Sequence, residues 1–349
     1  MCQRSHLLCF LPPYILDHMA NSDDPQVRTH AIANIRAAVA VRAVRSVVQP
    51  SMFHSAMAIP NATKKRVIYD AKNTVNLPGT LVLTEGGPVS ADPAVSEAYN
   101  FSGDTYDFYK KVFGRNSLDD LGMPLTSSVH VSDEFGDPLD NAFWNGWQMA
   151  YGDGDGVVFT RFSKSLDVVA HELTHGVQSF TSNLLYKGQS GALNEHFSDV
   201  FGILVRQWKK GETAINANWV IGSDILIPAA TRRGIRDMEH PGTAFTNDPH
   251  LGTDRQPGNM KQLFTGSADN GGVHMNSGIP NRAFVLAAKA IGGNAWDVTG
   301  RIWYDTMLQL RSNSNFSNCA KISVQIATHI GANEGKAVRD AWKAVGIKA

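Results

Sequence analysis

From about residue 165 onward the apolar positions recur at helical spacing, in the stretches 165–181, 191–210, 277–292, 297–311 and 317–345, which predicts five helices. The preceding text, from Arg66 to about Thr160, is different: short β-branched and aromatic runs (RVIYD, LPGTLVL, SSVHVSD, AYGDGDGVVF) are cut by turn residues, and the pattern predicts a β-rich region. At the front, DDPQVRTHAIANIRAAVAVRAVRSVV predicts one helix, with Asp24 as N-cap, Pro25 in the first turn and Pro50 ending it. The first glycine is Gly79, whereas the later chain is glycine-rich, so the front is a separate piece. Residues 50 to about 64 read as an exposed linker suited to cutting. The expected organisation is therefore a front segment 1–50, a linker 51–65, a β-rich lobe 66–185 and a helical lobe 186–349, with no internal repeat or low-complexity tract.

Composition narrows the classes. The 349 residues are 43% hydrophobic and 18% charged, which suits one large or two medium soluble domains. Formal net charge is zero and the pI is near 7.2, so neither nucleic acid nor an anionic membrane is an expected partner. No stretch reaches the ~18 apolar residues of a spanning helix. Three well-separated cysteines, Cys2, Cys9 and Cys319, do not form a disulfide framework and leave both redox compartments open. The start MCQRSHLLCFLPPYIL imitates a secretory signal until Pro12 and Pro13 interrupt it, with no small-residue cleavage site behind. The start is therefore read as part of the protein, with a signal peptide as the minority view.

The chemistry begins at VVAHELTHGVQSF, residues 168–180. On a helix His171 and His175 share one face and Glu172 lies beside them, the spacing that two imidazole ligands and a carboxylate base for water require at a Zn²⁺ site. The bland alternative is an amphipathic helix with two satisfied histidines. Twenty residues on, GALNEHFSDVFG opens a second apolar helix with Glu195 on it. A carboxylate on a buried face is costly unless paired or metal-bound, so Glu195 is a candidate third ligand, with a buried salt bridge as its alternative. Asp199, one turn further, and Asn194 are placed to hydrogen-bond the ligand histidines. His196 reads as structural. GDGDG, residues 152–156, lacks the further carboxylates of a calcium loop and reads as a tight hairpin.

Together HELTH, GALNEHFSD, NAFWNG (141–146), YGDGDG (151–156) and DNGGVHMNSGI (269–279) resemble the thermolysin family of zinc metallopeptidases over roughly residues 66–349. The front segment with PPYIL (12–16) is similar to the short propeptides of the protealysin-like branch. The resemblance implies an α+β, two-lobed thermolysin-like fold, β-rich then α-helical, with zinc in the cleft between the lobes. It implies His171, His175 and Glu195 as zinc ligands, Glu172 as general base, and His274, oriented by Asp269 and helped by Tyr186, as the stabiliser of the oxyanion. Asn141 and the Ala142 backbone would hold a peptide substrate as an added strand, Arg236 would grip its carbonyl, and Phe159, Phe162, Val168 and Ile235 would line an apolar pocket for the residue after the cut. The activity implied is a zinc endopeptidase made as a proenzyme, acting on peptides and proteins, with its own propeptide as intramolecular inhibitor; the localisation implied is secretion, with a cytoplasmic proenzyme as the alternative. PPYIL is expected to dock near the active site in extended form. Cys9 raises the further option of a thiolate on the open zinc position, beside the plainer one of an incidental buried cysteine.

One departure from the family pattern concerns calcium. Arg206, Asn218, Val220 and Ser223 stand where many members carry acidic calcium ligands, and only Asp167 and Asp224 remain, so the double calcium site is expected to be absent. Two rivals share the zinc triad. A catalytically silent peptide-binding zinc protein would lack the base or the His274 equivalent, and both are present; an aminopeptidase would carry a G-x-M-E-N type segment, which is not found.

Overall fold

A computed structural model describes residues 8–45 and 63–349, which form two compact units. Cys2 and most of the expected linker, residues 51–62, lie outside the described residues.

The first unit runs to Gly176 and takes in Asp224–Pro228 and Pro249–Gly252. Its sheet has six strands: β1 (Leu8–Cys9), β2 (Arg66–Thr74), β3 (Thr80–Thr84), β4 (Leu125–Val131), β5 (Ala142–Trp144) and β6 (Met149–Tyr151), in the spatial order β1-β5-β6-β4-β2-β3. β4 runs parallel to both β2 and β6, and the remaining pairs are antiparallel. The front of the chain therefore supplies the edge strand, with Leu8 opposite Trp144 and Cys9 opposite Phe143. Helix α1 (Pro13–Met19) follows, then α2 (Pro25–Arg45), whose first turn is capped by the Asp24 carboxylate accepting from Gln26 N–H at 2.8 Å. α2 is tied to the loop before β5, where the Asp140 N–H donates to Asn34 Oδ1 at 2.7 Å and Asn34 Nδ2 donates to Asp140 Oδ2 at 3.2 Å. Burial, with the negative charge of Asp155 added, pushes the Asp140 carboxyl well above its ordinary range.

Two expectations for this unit need correction. The β-rich stretch contains a long helix, α3 (Pro93–Phe108), extended by a wide turn through Phe113 and stopped at Gly114 in the left-handed region. Asp92 caps it and Pro93 starts it, while Ala94, Ala98, Ser102, Tyr106, Tyr109 and Phe113 form its buried face. Gly103 within it lets the Arg66 guanidinium pass at a distance a Cβ would forbid, and Arg66 Nη1 donates to the Tyr99 carbonyl at 3.0 Å. The GDGDG stretch, expected as a hairpin, is instead a turn wound on Asp155, whose Oδ1 accepts from the N–H groups of Val157, Val158 and Phe159. Beside it, His130 on β4 bridges Asp153 (2.7 Å) and Asp92 (2.8 Å). The Asp153 hydrogen bond outweighs the opposing effect of burial and, with Asp92, raises the imidazole pKa to about 9.

The second unit comprises Val177–Ser223, Ala229–Asp248 and Thr253–Ala349. Helix α4 (Leu166–Ser179) carries the chain into it, and α5 (Gly188–Lys210) is nearly all buried as far as Gln207. A two-stranded ribbon, β7 (Val220–Ile221) with β8 (Arg236–Asp237), precedes α6 (Ala268–Asn276), α7 (Gly278–Ile291) and α8 (Val298–Gln309). The helix expected over 317–345 is two, α9 (Phe316–Ile330) and α10 (Ala332–Ala344), because Gly331 adopts an extended conformation between them. A stack of Trp303 on Trp342, ring centroids 6.1 Å apart, lies in the core of this unit. Among the described residues no helix is long and apolar enough to cross a membrane.

Candidate metal centre

In α4 the apolar residues Val168, Val169, Ala170, Leu173 and Val177 are all buried, and so are the polar residues between them. Burying two imidazoles and a carboxylate on one helix is unfavourable unless hydrogen bonds, an opposite charge or a metal ion satisfy them. The Nε2 atoms of His171 and His175 lie 3.1 Å apart with their rings nearly perpendicular. Ligation of zinc at 2.0–2.1 Å with tetrahedral angles places two nitrogens about 3.3 Å apart, so this pair fits the ion. Among the described residues, His171, Glu172 and His175 are the group whose ligand atoms cluster this way, all within 4.8 Å. Glu172 is held from the sheet, its Oε2 accepting the Trp144 N–H at 2.9 Å. Gly176 allows that approach, since a Cβ there would sit 2.7 Å from Leu118 Cδ1 and 3.4 Å from the Trp144 ring.

The residues implied as substrate-binding on this unit are occupied by the front of the chain. The Phe10 N–H donates to the Ala142 carbonyl at 3.1 Å, and the Leu11 N–H donates to Asn141 Oδ1 at 3.2 Å. Phe10 is fully buried, edge-on to His171 at 5.3 Å and to Phe162 at 6.5 Å, and Phe162 in turn contacts Phe159 at 5.5 Å. This corrects the expected docking mode: the strand is Leu8–Cys9, the N–H groups of residues 10 and 11 continue along the β5 edge, and all of PPYIL after Pro12 has turned into α1. Cys9 belongs to the opposite side of the strand, packed with Ala71, Val131, Leu139, Phe143 and Ala150, so the plainer reading of that cysteine holds. Phe10 was not singled out from sequence, although strand alternation next to Cys9 was the available signal.

On the second unit, Glu195 is 1% exposed on α5. The Tyr186 hydroxyl donates a short hydrogen bond to its Oε1 and lies 3.1 Å from His274 Nε2. Asp269 Oδ1 is 2.6 Å from His274 Nδ1, and its Oδ2 accepts the His274 backbone N–H at 2.8 Å. Four successive residues with positive φ, Asp269 to Gly272, fold the DNGG turn back so that one carboxylate meets both groups. Burial opposes a charge on His274, but Asp269 and Glu195 outweigh it and raise its pKa to about 9. The proton sense follows: Nδ1–H donates to Asp269 and Nε2–H faces the tyrosine oxygen, giving a donor array suited to an oxyanion.

Asp199 and Arg236 form a fully buried ion pair, Arg236 Nη2 to Asp199 Oδ1 at 2.9 Å, and Asn281 Nδ2 donates to Asp199 Oδ2 at 2.9 Å. Asn194 donates weakly to the Leu184 carbonyl at 3.4 Å, and its own carbonyl accepts from Gln178 at 2.8 Å. Ile235 is buried next to Arg236, its N–H bonded to the Ile221 carbonyl at 2.8 Å. His196 is buried as expected, and burial, opposed by its bond to Asn281, lowers its pKa to about 4. Asn281 and Trp303, its neighbours, were missed because nothing in their local sequence announces a polar role.

A metal-binding helix beside a peptide-accepting sheet edge, with an imidazole–phenol donor pair elsewhere in the chain, defines a metal-dependent peptidase. Similarity to known proteins narrows that class. The thermolysin metallopeptidase catalytic domain matches residues 50–179, and the thermolysin metallopeptidase alpha-helical domain matches 182–347. The chain belongs to the thermolysin family of metallopeptidases, and within it resembles the protealysin-like branch. It is 45% identical over 350 residues to an extracellular metalloprotease of Pectobacterium carotovorum subsp. carotovorum, covering 99% of this chain and 98% of that one. It is 42% identical to Protease PrtS of Photorhabdus sp. (strain Az29), covering 99% and 94%. Among solved structures, the precursor of protealysin, a metalloproteinase from Serratia proteamaculans, superposes with a TM-score of 0.87 at 42% identity, covering 97% of this chain and 99% of that chain.

Proposed function

We propose that this thermolysin-family metalloprotease is a latent zinc endopeptidase that cuts before large apolar residues and is held inactive by its own residues 1–50. The observation that carries the reading is the edge of β5, where Asn141 and Ala142 take residues 10 and 11 as they would take a substrate strand, with Phe10 against His171. His171, His175 and Glu195 would hold Zn²⁺, which when bound would polarise the scissile carbonyl and acidify water. Glu172, fixed by the Trp144 N–H, takes the proton from the attacking water and passes it to the leaving amine. His274 and Tyr186 donate to the oxyanion as it develops, each worth about 2.7–4 kcal/mol in such a role. Asp269 orients the His274 ring and favours its charged form. Asp199 and Asn194 are the partners that hydrogen-bond the ligand histidines in this reading, and Arg236 holds a substrate carbonyl. Phe159, Phe162, Val168 and Ile235 supply the apolar pocket. The 51–65 segment is the processing linker between the propeptide and the lobes 66–185 and 186–349.

The same reading makes the double calcium site absent. Arg206 is 2% exposed and donates to the carbonyls of Val220 (2.9 Å) and Asn218 (2.7 Å), so a fixed cation serves groups that an ion could serve. Secretion is the reading supported by the extracellular relative. An internally quenched peptide blocked at both ends, presented as a library, tests the activity: cleavage before Leu, Phe or Ile is expected. A profile dominated by Lys, Arg or Asp at that position, or no cleavage after processing, refutes it.

A further inference from the structure

The Trp303 indole N–H can only donate, and it donates to His196 Nε2 at 2.8 Å. His196 Nε2 is therefore an acceptor, and the ring proton sits on Nδ1, 2.8 Å from Asn281 Oδ1. That bond fixes the Asn281 amide with its Nδ2 toward Asp199, to which it donates at 2.9 Å. Asp199 in turn accepts from Arg236 Nε at 3.0–3.1 Å and Nη2 at 2.9 Å. All five side chains are shut off from solvent, so water does not scramble the direction of the chain. Its far end is rigid: Trp303 is stacked on Trp342 and meets Phe284 edge-on at 5.0 Å, while the Trp342 N–H donates to Ser323 Oγ at 2.8 Å.

We propose that Trp303, His196 and Asn281 form a one-way hydrogen-bond relay that sets the orientation of Asp199 and through it Arg236, so that Asn281 is a positioning residue for substrate binding. The inference rests on the reading of Arg236 as the group that holds a substrate carbonyl. Its logic lies in the alternative it prevents. Without the Trp303 donor, His196 can shift its proton to Nε2, the Asn281 amide turns over, and its oxygen faces the Asp199 carboxylate. Two acceptors then meet in a dry site, and the Asp199–Arg236 pair must move.

The test uses the full-length chain after processing, with steady-state kinetics on one quenched peptide. Trp303→Phe, which keeps the ring packing, and Asn281→Ala should each raise KM about five- to tenfold with kcat within about twofold, because Arg236 contributes equally to substrate and transition-state binding. In an Arg236→Ala background, which itself raises KM, Asn281→Ala should add nothing. ¹⁵N NMR should find neutral His196 protonated on Nδ1 in the parent and a measurable fraction protonated on Nε2 in Trp303→Phe, a readout that does not depend on the Arg236 variant folding. Unchanged KM in both relay variants, full additivity with Arg236→Ala, or an unaltered His196 tautomer in Trp303→Phe overturns the relay. If Arg236→Ala leaves KM unchanged, the role of Arg236 falls and the relay with it; if it raises KM and Asn281→Ala does not, the relay alone falls.

Discussion

Replacing Phe10 by alanine should break latency. The side chain is completely buried and makes edge contacts with His171 and Phe162. Full burial of a phenylalanine is worth up to about 3 kcal/mol, and truncation of a buried one to alanine costs about 3–5 kcal/mol. Taking about 3 kcal/mol as the loss, at about 1.4 kcal/mol per tenfold, the open fraction of a tethered inhibitor rises roughly 100-fold. The backbone bonds from residues 10 and 11 to Ala142 and Asn141 remain, so the segment still finds its edge but holds it less tightly. The assay is the initial rate of quenched-peptide hydrolysis by freshly purified precursor, with mass spectrometry to confirm that the chain is uncut. Phe10→Ala should show a large rise in initial rate and a shortened lag, while the processed enzyme, which has lost residue 10, keeps its normal kcat/KM. Phe10→Leu keeps the apolar bulk and forfeits the ring contacts, about 0.5–1.5 kcal/mol, so its rate should rise only about two- to tenfold. An uncut Phe10→Ala precursor as silent as the parent would refute the account of latency.

Three further outcomes follow from other parts of the molecule. His130, raised to about 9 by Asp153 and Asp92 against the effect of burial, gains its partners in its charged form, so its stabilisation is complete below about 6.5 and is lost as pH rises through about 9; His130→Gln should lower the melting temperature at pH 6 and converge with the parent by pH 10, and an equal deficit at both pH values would contradict this. Arg206→Met strands the carbonyls of Val220 and Asn218 and should cost roughly 1–3 kcal/mol by denaturant unfolding, whereas excess EGTA should leave the parent's melting temperature unchanged; a large EGTA effect would reveal a calcium site.

What sequence discloses here depends on whether the signal is local. HELTH announces itself because ligand spacing and helical periodicity coincide within five residues, whereas DNGGVH yields roles for Asp269 and His274 only through the family resemblance, and its run of four positive-φ residues shows only in the structure. Helix α3 escapes the same reading: its aromatic and β-branched residues and Gly103 look like strand text, and the helix exists because Asp92 caps it and its face packs inward. Gly331 conceals the break between α9 and α10 because a single glycine is tolerated inside a helical pattern. Phe10, Asn281 and Trp303 are invisible for another reason. Each acts on a partner far along the chain, His171, Asp199 and His196 respectively, and no window of sequence contains both ends.

The central claim is that His171, His175 and Glu195 hold the zinc while Glu172 does chemistry beside it, and metal content measured together with activity tests it most directly. Purified Glu172→Ala protein should carry about one zinc per chain and accumulate uncut and inactive, whereas His171→Ala, His175→Ala and Glu195→Gln should each lose the metal and the activity. Full zinc in any of the three ligand variants, or peptide hydrolysis at the normal rate by Glu172→Ala, would contradict the account.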